Sequence, residues 1–147
     1  MEPLSITTGC LSLVGTIAKV SITITNFVRT ARDSRRDLDI VSRELGSLQT
    51  VLQLLADDTQ DTPKAIPQNL ETQIEGIIGN CNGTVEDIEK ILQKYREAKL
   101  RCTKWAWSGR DDMTRLRTTL EAHKSALELA LEMIALYAAF ATGGFEL

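Results

Sequence analysis

Apolar residues recur along this chain at alternating intervals of three and four, in blocks separated by short polar stretches. The clearest block is Leu38, Val41, Leu45, Leu48, Leu52 and Leu55, an a/d seam that Val51 and Leu54 widen into the stripe of a bundle helix with two neighbours. It predicts a helix over 34–57, with Asp33 and Ser34 as candidate N-caps and Ser34 to Asp37 approximating a capping box. Asp57-Asp58 and Asp61-Thr62-Pro63 are expected to end it, 58–66 to form a polar loop, and Pro67 to suit the next helix's first turn. A further helix is expected over 68–99, on the seam Leu70, Ile74, Ile77, Cys81, Val85, Ile88, Leu92 and Tyr95. Gly76, Gly79 and Gly83 weaken its middle by up to about 1 kcal/mol each, which predicts a kink or a loosened turn. After an interruption at 100–109, Ser108 and Asp111 form a second candidate capping box. They precede a helix over 110–141 carrying Met113, Leu116, Leu120, His123, Leu127, Ala130, Ile134 and Tyr137. Beyond Leu127 that helix is apolar nearly all round to Phe140, and Gly143-Gly144 stops it.

The first block is different. Residues 3–28 contain one charge, Lys19, and eight Ser/Thr. Ser21 to Thr25 alternates with strand period, but a lone strand has no partner elsewhere in the chain, so a helix over 3–29 is expected. At 1.5 Å per residue such a helix measures roughly 39 Å, enough to cross a hydrocarbon core of about 30 Å. Lys19 near its centre costs about 2.5–3.5 kcal/mol on insertion scales, which argues against a constitutive span. The Met1-Glu2-Pro3 start lacks the basic region of a secretory signal. A helix without charge on any face is expected to be the most buried of a bundle. Four helices with short connections predict an all-α, up-down four-helix bundle over 1–147, a single domain.

Composition narrows the function. The 147 residues carry a net charge of −3, so no global basic field recruits nucleic acid. A single histidine and three scattered cysteines, Cys10, Cys81 and Cys102, match no zinc spacing. No nucleophile elbow or Gly-rich phosphate loop appears, so neither an enzyme nor a bound metal or cofactor is expected, nor a small-molecule substrate. His123 falls on an apolar seam and reads as a core histidine hydrogen-bonded to a neighbour. Lys94, Arg96, Lys99, Arg101, Lys104, Trp105, Trp107 and Arg110 combine six basic residues and two tryptophans with one acid, Glu97. Such a patch suits an anionic membrane surface; its plainer reading is a solvated end of the bundle with one Trp as a cap. The seams read as an intramolecular core before they read as coiled-coil partners.

Three elements carry a resemblance. They are Pro3-Leu4-Ser5-Ile6 before the Gly/Ser/Thr-rich apolar helix; Arg32-Asp33 through Asp37-Leu38, Ser42-Arg43-Glu44-Leu45, Leu48 and Leu52; and Trp105-Ala106-Trp107-Ser108-Gly109 followed by Leu116, Leu120 to Leu127 and Leu129-Ala130-Leu131. Together they resemble the HeLo-like N-terminal domain of fungal NOD-like (STAND) proteins, a family related to the HeLo domain of a fungal incompatibility toxin and to the four-helix domain of the necroptosis pseudokinase. The resemblance implies a non-enzymatic cell-death effector of fungal innate immunity or heterokaryon incompatibility, cytoplasmic at rest and at the plasma membrane on activation. It further implies self-association, anionic membrane lipid as a partner, and a nucleotide-binding receptor module in the same or another chain. The insertion candidates are then Leu4, Ile6, Leu11, Leu13, Val14, Ile17, Val20, Ile22, Ile24 and Phe27. The headgroup candidates are Arg29, Arg32, Arg35, Arg36, Lys99, Arg101, Lys104, Trp105 and Trp107. The alternative is a homotypic oligomerisation adaptor with no membrane activity.

Overall fold

Four apolar stripes on four helices have to be buried against one another, and a ring around one core buries them all. The computed structural model describes residues 3–61, 66–96 and 108–141. Its helices are α1 (Pro3–Thr30), α2 (Arg35–Asp61), α3 (Gln68–Arg96) and α4 (Arg110–Ala141), with a 3-10 turn at Arg32–Ser34 between the first two. Among the described residues there is no strand. The molecule is an all-α four-helix bundle.

Side-chain contacts between helices set their directions. Thr7 near the start of α1 meets Thr59 near the end of α2 at 2.7 Å, and Gln49 Nε2 donates to the Val14 carbonyl at 3.5 Å, so α1 and α2 are antiparallel. Arg110 at the start of α4 meets Asp37 at the start of α2 at 3.2 Å, so those two are parallel. Thr84 with His123, and Tyr95 with Ser108, make α3 and α4 antiparallel. Directions therefore alternate along the chain. In space, however, α1 packs on α2 and α3, and α4 packs on the same two, so the connection from α2 to α3 joins helices across the diagonal.

The core is continuous, from Ile6, Ile17 and Phe27 through Leu38, Leu45, Leu52 and Ile74, Ile88, Tyr95 to Leu120 and Ile134. Full burial of each such side chain is worth about 1.5–3 kcal/mol. Three expectations are corrected here. Helix α2 does not stop at Asp57-Asp58 but runs to Asp61, because Ala56 and Thr59 are buried and Thr59 Oγ1, which meets Thr7, also reaches the Leu55 carbonyl at 2.9 Å. On α3 it is Ile78, not Ile77, that enters the core seam, although Ile77 packs at its edge. Helix α3 is also uninterrupted at Gly76, Gly79 and Gly83, since burial of Ile74, Ile78, Cys81 and Val85 outweighs about 1 kcal/mol per glycine.

Candidate functional site

Helix α1 is the feature that sets this bundle apart. Its inward seam is Ile6, Cys10, Leu13, Ile17, Val20, Ile24 and Phe27, all buried. The expectation that α1 would be the most buried helix is corrected: only 28% of its apolar stretch, Ile6–Thr30, is buried. It occupies a corner of the ring with two neighbours, and a corner helix keeps a solvent face whatever its sequence. On that face stand Thr8, Leu11, Gly15, Ala18, Lys19, Ile22 and Thr25, with Leu11 and Ile22 strongly exposed. The other three helices turn charges outward, such as Arg43 and Asp57 on α2, Asp87 and Lys90 on α3, and Arg115 and Glu128 on α4.

The hydroxyls of α1 are largely spoken for inside the helix. Thr16 donates to the Ser12 carbonyl, Ser21 to Ile17, Thr23 to Lys19 and Thr25 to Ser21, at 2.9–3.2 Å. A side chain bonded to the carbonyl one turn back needs no water of its own, and the stretch Ile6–Thr30 has a mean hydropathy of 1.5 with its Ser and Thr counted. Of the insertion candidates, Ile6, Leu13, Ile17, Val20, Ile24 and Phe27 face the core, Val14 packs at its edge, and Leu11 and Ile22 face out. Nothing is described of the Leu4 side chain.

The basic candidates fall into two groups. Arg29 ends α1, Arg32 lies in the 3-10 turn and Arg35 opens α2; the chain reverses here and brings the three around one cleft of about 830 Å³. Ile24, Thr25, Val28, Asp39 and Ser42 complete its lining. Ser34, expected as an N-cap, is instead buried beneath the elbow, where its hydroxyl donates to the Ala31 carbonyl at 2.5 Å. Arg36 is exposed and not part of the cleft. Sequence reasoning singled out the arginines but missed Asp39 and Ser42. Their positions four and seven residues after Arg35 place all three on one helix face, the signal that was there to be read. Lys99, Arg101, Lys104, Trp105 and Trp107 lie outside the described residues.

Three further features lie wholly or partly inside the bundle. His123 is half-buried with Nε2 3.3 Å from Thr84 Oγ1, and burial lowers its pKa from 6.5. The thiols of Cys10 on α1 and Cys81 on α3 are both pushed up to about 12, chiefly by burial, with Cys81 adding to the effect on Cys10. Lys124 on α4 reaches Glu44 on α2 at 3.6 Å.

The family model described as pigment biosynthesis cluster protein PigL N-terminal matches residues 1–144. No curated protein and no solved structure gives a significant match.

Proposed function

The chain belongs to the pigment biosynthesis cluster protein PigL N-terminal family, a fungal domain, and from that premise we propose that it is a non-enzymatic membrane-targeting effector module of the HeLo-like type. In this reading it is held off as a soluble bundle, clusters on a signal from a receptor module, and perturbs the plasma membrane through α1. One observation carries the reading: α1 has no charge but Lys19 between Ile6 and Val28 although it has a solvent face, and Thr16, Ser21, Thr23 and Thr25 are bonded to its own backbone. Exposed threonines on the other helices make the same bonds, Thr50 on α2, Thr72 on α3 and Thr114 on α4, so it is the near-absence of charge that sets α1 apart, and the bonds are what its hydroxyls need in lipid.

Energetics require a trigger. Removing α1 from the ring exposes seven buried side chains, roughly 10–20 kcal/mol at about 1.5–3 kcal/mol each, as large as the whole stability of a typical domain. Release into water is therefore negligible. Release into hydrocarbon returns most of that term, and clustering offers Lys19 a place against neighbouring helices or a wet lumen.

The experiment is dye release from anionic and neutral vesicles by the full chain, free and fused to an inducible oligomeriser. Leakage confined to the clustered form and anionic vesicles supports the reading; clustering without leakage or vesicle binding overturns it. Deleting α1 is a poor control because it strips one side from the core. Substitution on its outward face is clean.

A second reading, a homotypic adaptor, is favoured by α4. Leu129, Met133 and Leu136 are exposed there at intervals of four and three, an apolar stripe suited to another helix. It predicts self-association that is lost on Met133→Glu, with vesicles left intact.

A further inference from the structure

We propose that the cleft in the elbow between α1 and α2 binds a phosphomonoester, the phosphate held by Arg29, Arg32 and Arg35 and the carbon chain bound to it lying against Val28 and Thr25. Arg110, Arg115, Arg117 and Lys124 each sit beside a carboxylate. None of the three cleft arginines is ion-paired among the described residues; Arg36, Arg43 and Arg96 are not either, and what distinguishes the three is that they share one concavity with a single described acid, Asp39. Three exposed guanidinium groups around one concavity give it a positive field that an anionic ligand complements.

The chemistry of the lining narrows the ligand. Guanidinium forks match phosphate oxygens two at a time, and the Ser42 hydroxyl adds a neutral donor. A phosphomonoester presents about two charges at pH 7 and three free oxygens, more than a carboxylate offers to three arginines. Among the described residues the rest of the wall is Thr25, Val28 and the edge of Ile24, with no aromatic ring on which a base would stack, which favours an alkyl or acyl-glycerol phosphate over a nucleotide. At about 830 Å³ the cleft has the size of a small-ligand site, with room for far more than a bare ion. The same phosphate could be a lipid headgroup or a free metabolite, and the probes below separate the two. The site stands whether or not α1 inserts.

The test is calorimetric titration of the full chain with dihexanoyl phosphatidic acid as a monomer and with inorganic phosphate, followed by flotation on vesicles carrying phosphatidic acid or phosphatidylserine at equal surface charge. Saturable binding of the dihexanoyl probe is expected, strengthening from pH 5.5 to 7.5 as the phosphate loses its second proton near pKa 6. Arg32→Gln and Arg35→Gln each weaken it roughly ten- to a hundred-fold, the worth of a charge-assisted contact. Asp39→Asn tightens it, Arg36→Gln leaves it within about twofold, and Ile22→Asp leaves it unchanged even if leakage is lost. A preference for phosphatidic acid vesicles identifies a lipid source; binding of the dihexanoyl probe with no such preference identifies a soluble one. No saturable binding, or equal losses in Arg36→Gln and Arg32→Gln, overturns the site. Inorganic phosphate binding as tightly as the dihexanoyl probe overturns the role of Val28 and Thr25.

Discussion

Ile22 is 64% exposed on the outward face of α1, near the middle of the stretch Ile6–Thr30, and it separates folding from insertion. In the bundle, Ile22→Asp removes little buried surface and changes helix propensity slightly, so unfolding free energy should fall by no more than about 0.5 kcal/mol. In a bilayer, the same change replaces a residue worth about −0.3 to −0.6 kcal/mol with one costing about 2.5–3.5 kcal/mol, a swing of roughly 3–4 kcal/mol. Insertion should drop by roughly 100- to 1,000-fold. Lys19→Leu runs the same arithmetic in reverse: Lys19 is exposed, so the bundle tolerates the change while insertion gains a similar factor. The assay is dye release by the clustered full chain, with a urea melt of each variant beside it. Unchanged melts with opposite shifts in leakage are the expected result. If both variants melt normally and leak like the parent chain, α1 does not cross the membrane and the argument fails.

Three further outcomes follow from the packing. Leu52→Ala, fully buried on α2, should cost about 2–5 kcal/mol in a urea melt, whereas Leu54→Ala, 51% exposed two residues along, should cost under about 0.5 kcal/mol. His123 has a folded-state pKa below 6.5 because burial disfavours its charged form, so the unfolded chain binds more protons. Stability should therefore be full above pH 6.5 and decline as pH falls below it, a decline that His123→Gln removes when melts at pH 7.5 and 5.5 are compared. In a Cys102→Ser background, Cys10 and Cys81 should resist an aromatic disulfide reagent at pH 8, since burial holds both thiols near 12. Clustering on vesicles should unmask Cys81, left behind on α3 when α1 departs; leakage with Cys81 still protected would mean that α1 stays docked.

What was legible in the sequence, and what was not, divides along the range of the forces involved. Helix identity is local: the three-four spacing of Leu38 to Leu55, or of Met113 to Ile134, specifies a helix and its buried face together. Even the seven inward residues of α1 follow that spacing without exception. Which helices become neighbours is not local. The ring in which α1 and α4 lie across the diagonal depends on how four stripes share one core, and it decided that α1 would keep a solvent face bearing Leu11 and Ile22. It also carried α2 on to Asp61, because Thr59 found Thr7 fifty-two residues earlier, a partner no window of local sequence contains. The arginines of the elbow were visible as charges, but a cleft is a relation between surfaces. Asp39 and Ser42 joined Arg29, Arg32 and Arg35 only when the chain reversed through the 3-10 turn and laid α2 beside α1. Periodicity and charge are properties of the chain read in order; neighbourhood, exposure and concavity arise only once distant segments compete for the same core.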